Sequence, residues 1–328
     1  MLDNEIKQQL QSIFSKLQAK YSLDATVPES HEYKNEFVDF LNDVSASSGN
    51  ITCRVSEGTQ LAFSLLKNDK NTGIKFRGIP NGHEFSSLIL AILNSDGQGK
   101  NIPDEVLVNR VKALKGRINL RTYVSLSCTN CPDVVQSLNL MALLNDNITH
   151  EMVDGALYQE EADALNIQAV PSVFADEQLL HVGKSSFGEL LEKLNAQYGS
   201  EIQASTAEIK AYDVLVIGGG PAGTSSAIYS ARKGLKVAVI AERTGGQVND
   251  TVGIENLISV PYITGTQLAE QLKAHARQYS IDLLEHRRVD KITDEDNKKV
   301  IWTSTGERYT APSIIIATGA NWRKLNVP

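Results

Sequence analysis

The spacing of hydrophobic residues predicts alternating helices and strands along the first hundred residues. Ile6, Leu10, Ile13, Phe14 and Leu17 recur at helical spacing, so they share one face of a helix. Short apolar runs between turn residues predict strands. The predicted elements are a helix over 5–20, a strand over 25–27, a helix over 31–44, strands over 51–55 and 61–66, and a helix over 84–93.

A related order of elements follows. It comprises a helix over 103–115, a strand over 118–124, a helix that begins near 128, a strand over 148–153, a helix over 160–165, paired strands over 169–174 and 178–181, and a helix over 185–195. Residues 196–211 are polar or small, and we interpret them as a linker. The predicted domains are therefore 1–102, 103–195 and 212–328.

Cys128 and Cys131 stand where the strand over 118–124 meets the next helix. Unpaired backbone N–H groups and the helix dipole favour a thiolate at such a position, and a second thiol one turn later can attack a mixed disulfide. A zinc site and an inert buried pair compete with a redox dithiol. Zinc would need a second pair of ligands, which the sequence lacks, so we predict no metal site. The inert pair stays open on these two residues alone.

The order strand, helix, strand, helix, strand, strand, helix is that of the thioredoxin fold. Pro171 begins the strand pair that follows the dithiol. It resembles the cis-proline of thioredoxin-like proteins, which faces the dithiol and gives a partner chain an edge to lie against. This match favours a redox dithiol at Cys128 and Cys131.

The first hundred residues resemble a degenerate copy of the same fold. Pro28–Glu32 stands where a dithiol would follow the first strand, and Gln60–Phe63 stands where the proline loop would be. Glu84 has two possible roles at its helix start. It offsets the helix dipole, which we favour, or it tunes the neighbouring dithiol.

A strand over 212–217 runs into a G-x-G-x-x-G motif, followed by a small-residue helix and a second strand. This context predicts a dinucleotide-binding fold, in which the glycines permit a tight turn, close approach to a pyrophosphate and close helix packing. Glu242 follows the second strand and would bind a ribose. The candidate cofactor-binding residues here are Gly218, Gly220, Pro221, Ala222, Gly223 and Glu242.

Composition narrows the function classes. The net charge of −7 and the pI near 5.5 do not favour nucleic acid or an anionic membrane as a partner. The N-terminus is too charged for a signal peptide, and no apolar run is long enough to span a membrane. Three cysteines in 328 residues exclude a disulfide-stapled scaffold. We expect a cytoplasmic α/β protein.

The whole chain resembles the flavoprotein disulfide reductases of the alkyl hydroperoxide reductase family: tandem thioredoxin-like folds followed by the first part of a Rossmann-like FAD-binding domain. The resemblance implies FAD and NADH as cofactors, a peroxiredoxin as the partner, a homodimer, and a role for Cys128 and Cys131 in passing electrons to the peroxiredoxin. It also favours FAD over NAD at the glycine motif. This preference rests on two further segments, 245–261 and 313–319, which resemble the flavin domain of such reductases. They add to the predicted cofactor site Gly246, Gln247, Asn256, Thr318 and Gly319.

The sequence departs from the family at two places. Thr129-Asn130 stands between the cysteines where the family has His-Asn, and no cysteine follows Cys131. The family's flavin-proximal dithiol and NADH domain are absent from the 328 residues, so we expect this chain alone to lack electron transfer from flavin to Cys128. Three hypotheses follow: the N-terminal part of the reductase, a dithiol carrier charged by an external reductase, or a non-catalytic remnant that binds a partner.

Overall fold

The computed structural model describes residues 2–99, 101–201, 209–295 and 298–320. The chain divides into two compact units, Met1–Glu201 (unit 1) and Ile202–Pro328 (unit 2). Residues 202–208, in the middle of the predicted linker, lie outside the described residues, as does the C-terminal segment 321–328.

The first half of unit 1 alternates helices and strands as its sequence pattern predicts. Its elements are α1 (Asn4–Phe14), β1 (Tyr21–Val27), α2 (Lys34–Ser45), β2 (Ile51–Glu57), β3 (Ala62–Lys67), β4 (Lys70–Arg77), a short 3-10 helix (Gly82–Glu84) and α3 (Phe85–Asp96).

The second half contains the predicted thioredoxin order. Its elements are α4 (Glu105–Lys112), β5 (Ile118–Val124), α5 (Cys131–Leu144), β6 (Ile148–Asp154), α6 (Gln159–Ala164), β7 (Ser172–Ala175), β8 (Gln178–Val182) and α7 (Phe187–Tyr198). Helix α7 runs into the segment predicted as a linker, and Glu201 N donates to Ala113 O at 2.9 Å. The start of the predicted linker is therefore packed against unit 1.

One eight-stranded sheet joins the two halves, in the order β2-β1-β3-β4-β6-β5-β7-β8. Strands β4 and β6 meet in parallel at the junction, with Ile74 opposite His150 and Arg77 opposite Val153. The predicted boundary near residue 102 falls between α3 and α4, inside a single compact unit. Both halves share one sheet and one apolar core. The division at residue 102 therefore stays a prediction of where one sequence repeat ends and the next begins.

A charged cluster crosses this junction. Arg77 on β4 is 3% exposed, and its guanidinium binds Glu161 on α6 and lies 3.5 Å from Glu151 on β6. Arg121 on β5 binds the same two carboxylates, at 3.0 and 3.1 Å. The hydrogen bond from Arg77 is the main cause of the lowered pKa of Glu161. Both halves therefore contribute charge to one network.

Unit 2 contains two four-stranded sheets. Its elements are β9 (Lys210–Ala211), β10 (Val214–Ile217), α8 (Pro221–Arg232), β11 (Val237–Ile240), a 3-10 helix (Gly246–Asp250), α9 (Gly265–Arg277), β12 (Ile281–Leu284), β13 (Val289–Glu295), β14 (Lys298–Thr303), β15 (Arg308–Ala311) and β16 (Ser313–Ile316). The end of the predicted linker, Lys210–Ala211, is thus a strand.

The first sheet of unit 2 has the order β12-β11-β10-β16 and is parallel throughout. The second has the order β13-β14-β15-β9. The parallel sheet packs against α8 and places the glycine motif at its carboxyl edge, as in dinucleotide-binding folds. The predicted α/β fold class is confirmed. Among the described helices, none is long and apolar enough to cross a membrane.

Candidate active site

The two cysteines lie between β5 and α5 and form a disulfide, with their Cα atoms 5.6 Å apart. A turn bonded from Cys128 N to Ser125 O, at 2.9 Å, leads from the strand into the helix. Cys131 is the first residue of α5 and is fully buried, whereas Cys128 is partly exposed. A partner can therefore reach Cys128 but not Cys131, which is the asymmetry that thiol–disulfide exchange requires.

Pro171 follows a cis peptide bond and lies directly before β7. The carbonyl oxygen of Val170, at the same bond, is 3.9 Å from Cys128 Sγ. The structure therefore brings Pro171 and the dithiol together, as the sequence predicts. An extended chain that attacks Cys128 would pass beside the backbone of Val170.

Glu84 lies in the 3-10 helix that packs against the start of α5. His83 N donates to Leu126 O at 3.1 Å and ties this 3-10 helix to the loop before the dithiol. Glu84 is 0% exposed, and neither carboxyl oxygen has a hydrogen-bond partner within 3.5 Å among the described residues. Burial, opposed by the nearby Ser87 hydroxyl and reinforced by the charge of Asp133, raises the pKa of Glu84 to about 7.

Glu84 directly precedes α3, but its side chain makes no capping hydrogen bond. The 3-10 helix that carries Glu84 packs against α5. The raised pKa of Glu84 gives its carboxyl a proton affinity suited to exchange near neutral pH. Sequence reasoning missed the buried Ser87, one turn after Glu84, and Gln136 on α5, whose side-chain amide donates to Ser87 Oγ at 3.4 Å. The only sequence signal was the position of Ser87 three residues after an unusual acid, on the same helical face.

The glycine motif forms a tight turn at the end of β10. Gly218 has φ +113°, and a Cβ atom there would lie 2.2 Å from Ala317 O. A Cβ atom at Gly223 would lie 1.9 Å from Gly218 O, so α8 packs too closely on the turn for any larger residue. Gly220 caps α8, and Pro221 and Ala222 begin that helix.

Two other segments converge on this turn. Gly245 N donates to Gly219 O at 2.7 Å, and a Cβ atom at Gly246 would lie 3.2 Å from Gly220 Cα. Ala317 N donates to Ile217 O at 2.8 Å, which sets Thr318 and Gly319 beside the turn. Gln247 donates its side-chain amide to Ala320 O. The structure therefore gathers most of the predicted cofactor residues at one edge of the parallel sheet.

Two predicted cofactor residues, Glu242 and Asn256, make no hydrogen bond to the glycine turn among the described residues. Glu242 follows β11 with an exposed side chain, where a ribose next to the glycine turn could reach it. Asn256 lies in an exposed loop closed by bonds between Ile254 and Ile263, and among the described residues it makes no hydrogen bond to the turn.

The site fits a dinucleotide by its own geometry. The atom nearest to a Cβ placed on Gly220 is Gly245 O, 4.0 Å away. There is therefore free space at the N-terminal end of α8, whereas Gly218 and Gly223 are in close contact with neighbouring backbone. A helix N-terminus reached through glycine backbone is suited to a pyrophosphate. FAD, implied by the resemblance, would be held here by Gly218, Gly220 and Gly223.

Comparisons with known proteins match both the dithiol region and the dinucleotide region. A family model described as pyridine nucleotide-disulphide oxidoreductase matches residues 212–328, and one described as thioredoxin domain matches residues 118–196. A solved structure, the NTD N/C domain of alkylhydroperoxide reductase AhpF from Enterococcus faecalis, is 30% identical with a TM-score of 0.55. It matches 59% of this chain and 100% of its own.

Two curated relatives match the full length of the chain. Both are F subunits of alkyl hydroperoxide reductase, one from Staphylococcus epidermidis (42% identical) and one from Pseudomonas aeruginosa (39% identical). The chain spans 64% of the length of each. The predicted resemblance is confirmed: this chain belongs to the alkyl hydroperoxide reductase AhpF family of disulfide oxidoreductases.

Proposed function

We propose that the Cys128–Cys131 dithiol passes electrons from a flavin-linked, NADH-dependent reductase to a peroxiredoxin, and so supports the reduction of peroxides. The observation that carries this proposal is the accessible Cys128 and buried Cys131 at a helix start, opposite the backbone of Val170. Because the chain spans only part of its relatives, this activity is proposed for the whole reductase.

The exchange runs in two balanced steps. The Cys128 thiolate attacks the peroxiredoxin disulfide, which forms a mixed disulfide and releases one peroxiredoxin thiolate. The Cys131 thiolate then attacks Cys128 Sγ, which restores the Cys128–Cys131 disulfide and releases the second thiolate. Two electrons leave the dithiol, and the peroxiredoxin disulfide is reduced to two thiols.

Glu84 is proposed to accept the proton of the Cys131 thiol before the second step. Cys131 is buried, so water does not reach it easily. The 3-10 helix of Glu84 packs against α5, and the charge of Asp133 on the first turn of α5 acts on Glu84. A pKa of about 7 lets the carboxyl take up this proton and release it again near neutral pH.

The proposed cofactors are FAD, at the glycine turn of unit 2, and NADH in the whole protein. When bound, FAD would supply two-electron chemistry between NADH and a disulfide. The turn is crowded at Gly218 and Gly223 but leaves space at Gly220, so a bound pyrophosphate would lie at the N-terminus of α8. We also propose that the whole protein is a homodimer, on the resemblance alone.

The central test follows electron transfer from the reduced chain to an oxidised peroxiredoxin. The full chain is reduced with dithiothreitol, freed of excess reagent, and mixed with the peroxiredoxin, whose disulfide loss is followed on non-reducing gels. We expect transfer by the wild type, no transfer by Cys128→Ser, and a trapped mixed disulfide with Cys131→Ser. Cys53→Ser is the matched control, since Cys53 lies on β2 outside the dithiol site. Undiminished transfer by Cys128→Ser would refute the proposal.

A further inference from the structure

We propose that Glu285, held by Lys273, is a positioning residue for the cofactor site of unit 2. Its carboxylate binds the backbone of the 243–246 loop, the segment that packs against the glycine turn. This inference rests on the proposed binding of FAD at that turn. It adds to the site two side chains that lie outside the glycine motif.

The 243–246 loop lies directly against the glycine turn. Gly245 N donates to Gly219 O at 2.7 Å. A Cβ atom on Gly246 would lie 3.2 Å from Gly220 Cα. The turn leaves space for a pyrophosphate beside Gly220, at the N-terminus of α8. The position of this loop therefore limits that space on one side.

Two successive glycines of the loop have a backbone in the left-handed region. Gly245 has φ +91° and Gly246 has φ +55°. Glycine adopts this region readily, but it has more conformational freedom to lose than any other residue. The loop therefore needs bonds from other segments to keep a fixed distance from the turn.

Glu285 supplies such a bond. It directly follows β12, and its Oε1 accepts from Thr244 N at 3.0 Å. Thr244 is 7% exposed, so its N–H needs an acceptor within the protein. The other carboxylate oxygen of Glu285 is bound by Lys273 Nζ on α9. Both oxygens of Glu285 are thus engaged, so it acts on the cofactor site through the loop.

Helix α9 holds both the loop and the carboxylate. It packs against the 3-10 helix that follows the loop, and a Cβ atom on Gly245 would lie 2.4 Å from Ala269 Cβ. Lys273 lies one turn later on the same helix. Burial opposes the ionisation of Glu285, but the hydrogen bond and charge of Lys273 and the hydrogen bonds from Thr244 lower its pKa overall. Glu285 is therefore a carboxylate at neutral pH.

The test measures the loop and the cofactor separately in the full chain. Hydrogen exchange of the Thr244 amide, read by NMR without FAD, reports on the loop, and quenching of FAD fluorescence on titration reports on binding. We expect Glu285→Ala to speed this exchange about tenfold and to raise the Kd for FAD about tenfold, the scale of one hydrogen bond to a charged group. Glu285→Gln keeps an acceptor for the Thr244 N–H, so it should restore most of both losses.

Two control variants are matched to the two members of the pair. Asp290→Ala removes an exposed acid on β13 whose partner is Arg288, and it should change neither readout. Lys273→Met should shift both readouts in the same direction as Glu285→Ala, but by less. Arg277→Met removes an exposed cation from the same helix and should shift neither.

Unchanged exchange at Thr244 in Glu285→Ala overturns the inference. Faster exchange throughout unit 2 does so as well, since it would show a merely structural role, and so does a loosened loop that binds FAD like the wild type. If Glu285→Ala unfolds unit 2, the comparison of Lys273→Met with Arg277→Met decides in its place. A wild-type chain without affinity for FAD would instead refute the proposed cofactor site, while exchange at Thr244 would still decide whether Glu285 holds the loop.

Discussion

His150 is a buried imidazole that links the dithiol helix to the sheet. Its Nδ1 lies 2.7 Å from Asn139 Oδ1 on α5, and its Nε2 lies 2.8 Å from Thr122 Oγ1 on β5. Asn139 Oδ1 can only accept, so Nδ1 carries the proton and Nε2 accepts from Thr122. Burial lowers the pKa of His150 to about 3, and the ring is neutral at physiological pH.

We expect His150 to make unit 1 sensitive to acid. The unfolded histidine takes up a proton below pH of about 6.5 while the folded one does not, so stability falls as pH falls from there towards 3. At pH 5 the loss is about 2 kcal/mol. Glu84, whose pKa is raised from 4.5 to about 7, acts in the opposite direction between those two values.

The measurement is therefore the difference between wild type and His150→Gln in the hydrogen-exchange stability of β5 and β6 peptides at pH 7 and pH 5. The variant should lose the histidine contribution to this pH dependence. His181→Gln, a change at a partly exposed histidine, should keep it. Equal pH dependence in His150→Gln and wild type would contradict the prediction.

Single residues were predictable where chemistry leaves a sequence signature. Cys128, Cys131 and Pro171 follow from spacing and element order, and the structure places them together. Ser87 and Gln136 could not be predicted, since they meet only when α3 packs against α5. A contact between two helices far apart in sequence leaves no local pattern.

At the scale of elements, the junction between β4 and β6 holds unit 1 together. We expect Arg77→Ala to destabilise the unit by about 2 kcal/mol, because it removes the buried guanidinium bound to Glu161 and leaves Arg121, which is 40% exposed, as the partner of that carboxylate. Peptides from both halves should lose hydrogen-exchange protection together. Arg54→Ala removes an exposed arginine with ion pairs to Asp24 and Asp69, and should cause no measurable change. Loss of protection in only one half would show that the network does not couple them.

The glycine turn is the corresponding element of unit 2. Gly223→Ala would place a methyl group 1.9 Å from Gly218 O, so α8 must move away from β10. We expect this variant to lose FAD binding, measured by quenching of FAD fluorescence on titration with the chain. Ser225→Ala, at an exposed position of α8, should bind like the wild type. Unchanged binding by Gly223→Ala would exclude the turn as the cofactor site.

Element types were more predictable than element ends. Helix α1 was predicted over 5–20 but ends at Phe14, because the backbone N–H groups of Gln18 and Ala19 donate instead to Asp96 at 3.0 and 2.9 Å. That carboxylate lies at the end of α3, far along the chain. The pairing of β4 with β6 could not be predicted either, because the hydrophobic pattern of a segment predicts a strand but not its partner.

At the scale of the molecule, the dithiol chemistry and the dinucleotide turn belong to different compact units. Cys128, Cys131, Pro171 and Glu84 all lie in unit 1, whose sheet is complete within residues 1–201. The turn at Gly218 lies in unit 2. Folding and dithiol exchange should therefore require only unit 1, while cofactor binding should require unit 2.

We accordingly expect a variant limited to residues 1–201 to fold and, once reduced by dithiothreitol, to transfer electrons to an oxidised peroxiredoxin as fast as the full chain does. It should not bind FAD. Residues 199–201 must be kept, because Gly199 O accepts from Lys115 N at 3.2 Å and Glu201 N donates to Ala113 O. A shorter variant that ends at residue 195 removes these contacts and part of α7, and it should be less stable in urea. Slow transfer by a well-folded 1–201 variant would mean that unit 2 contributes to recognition of the partner.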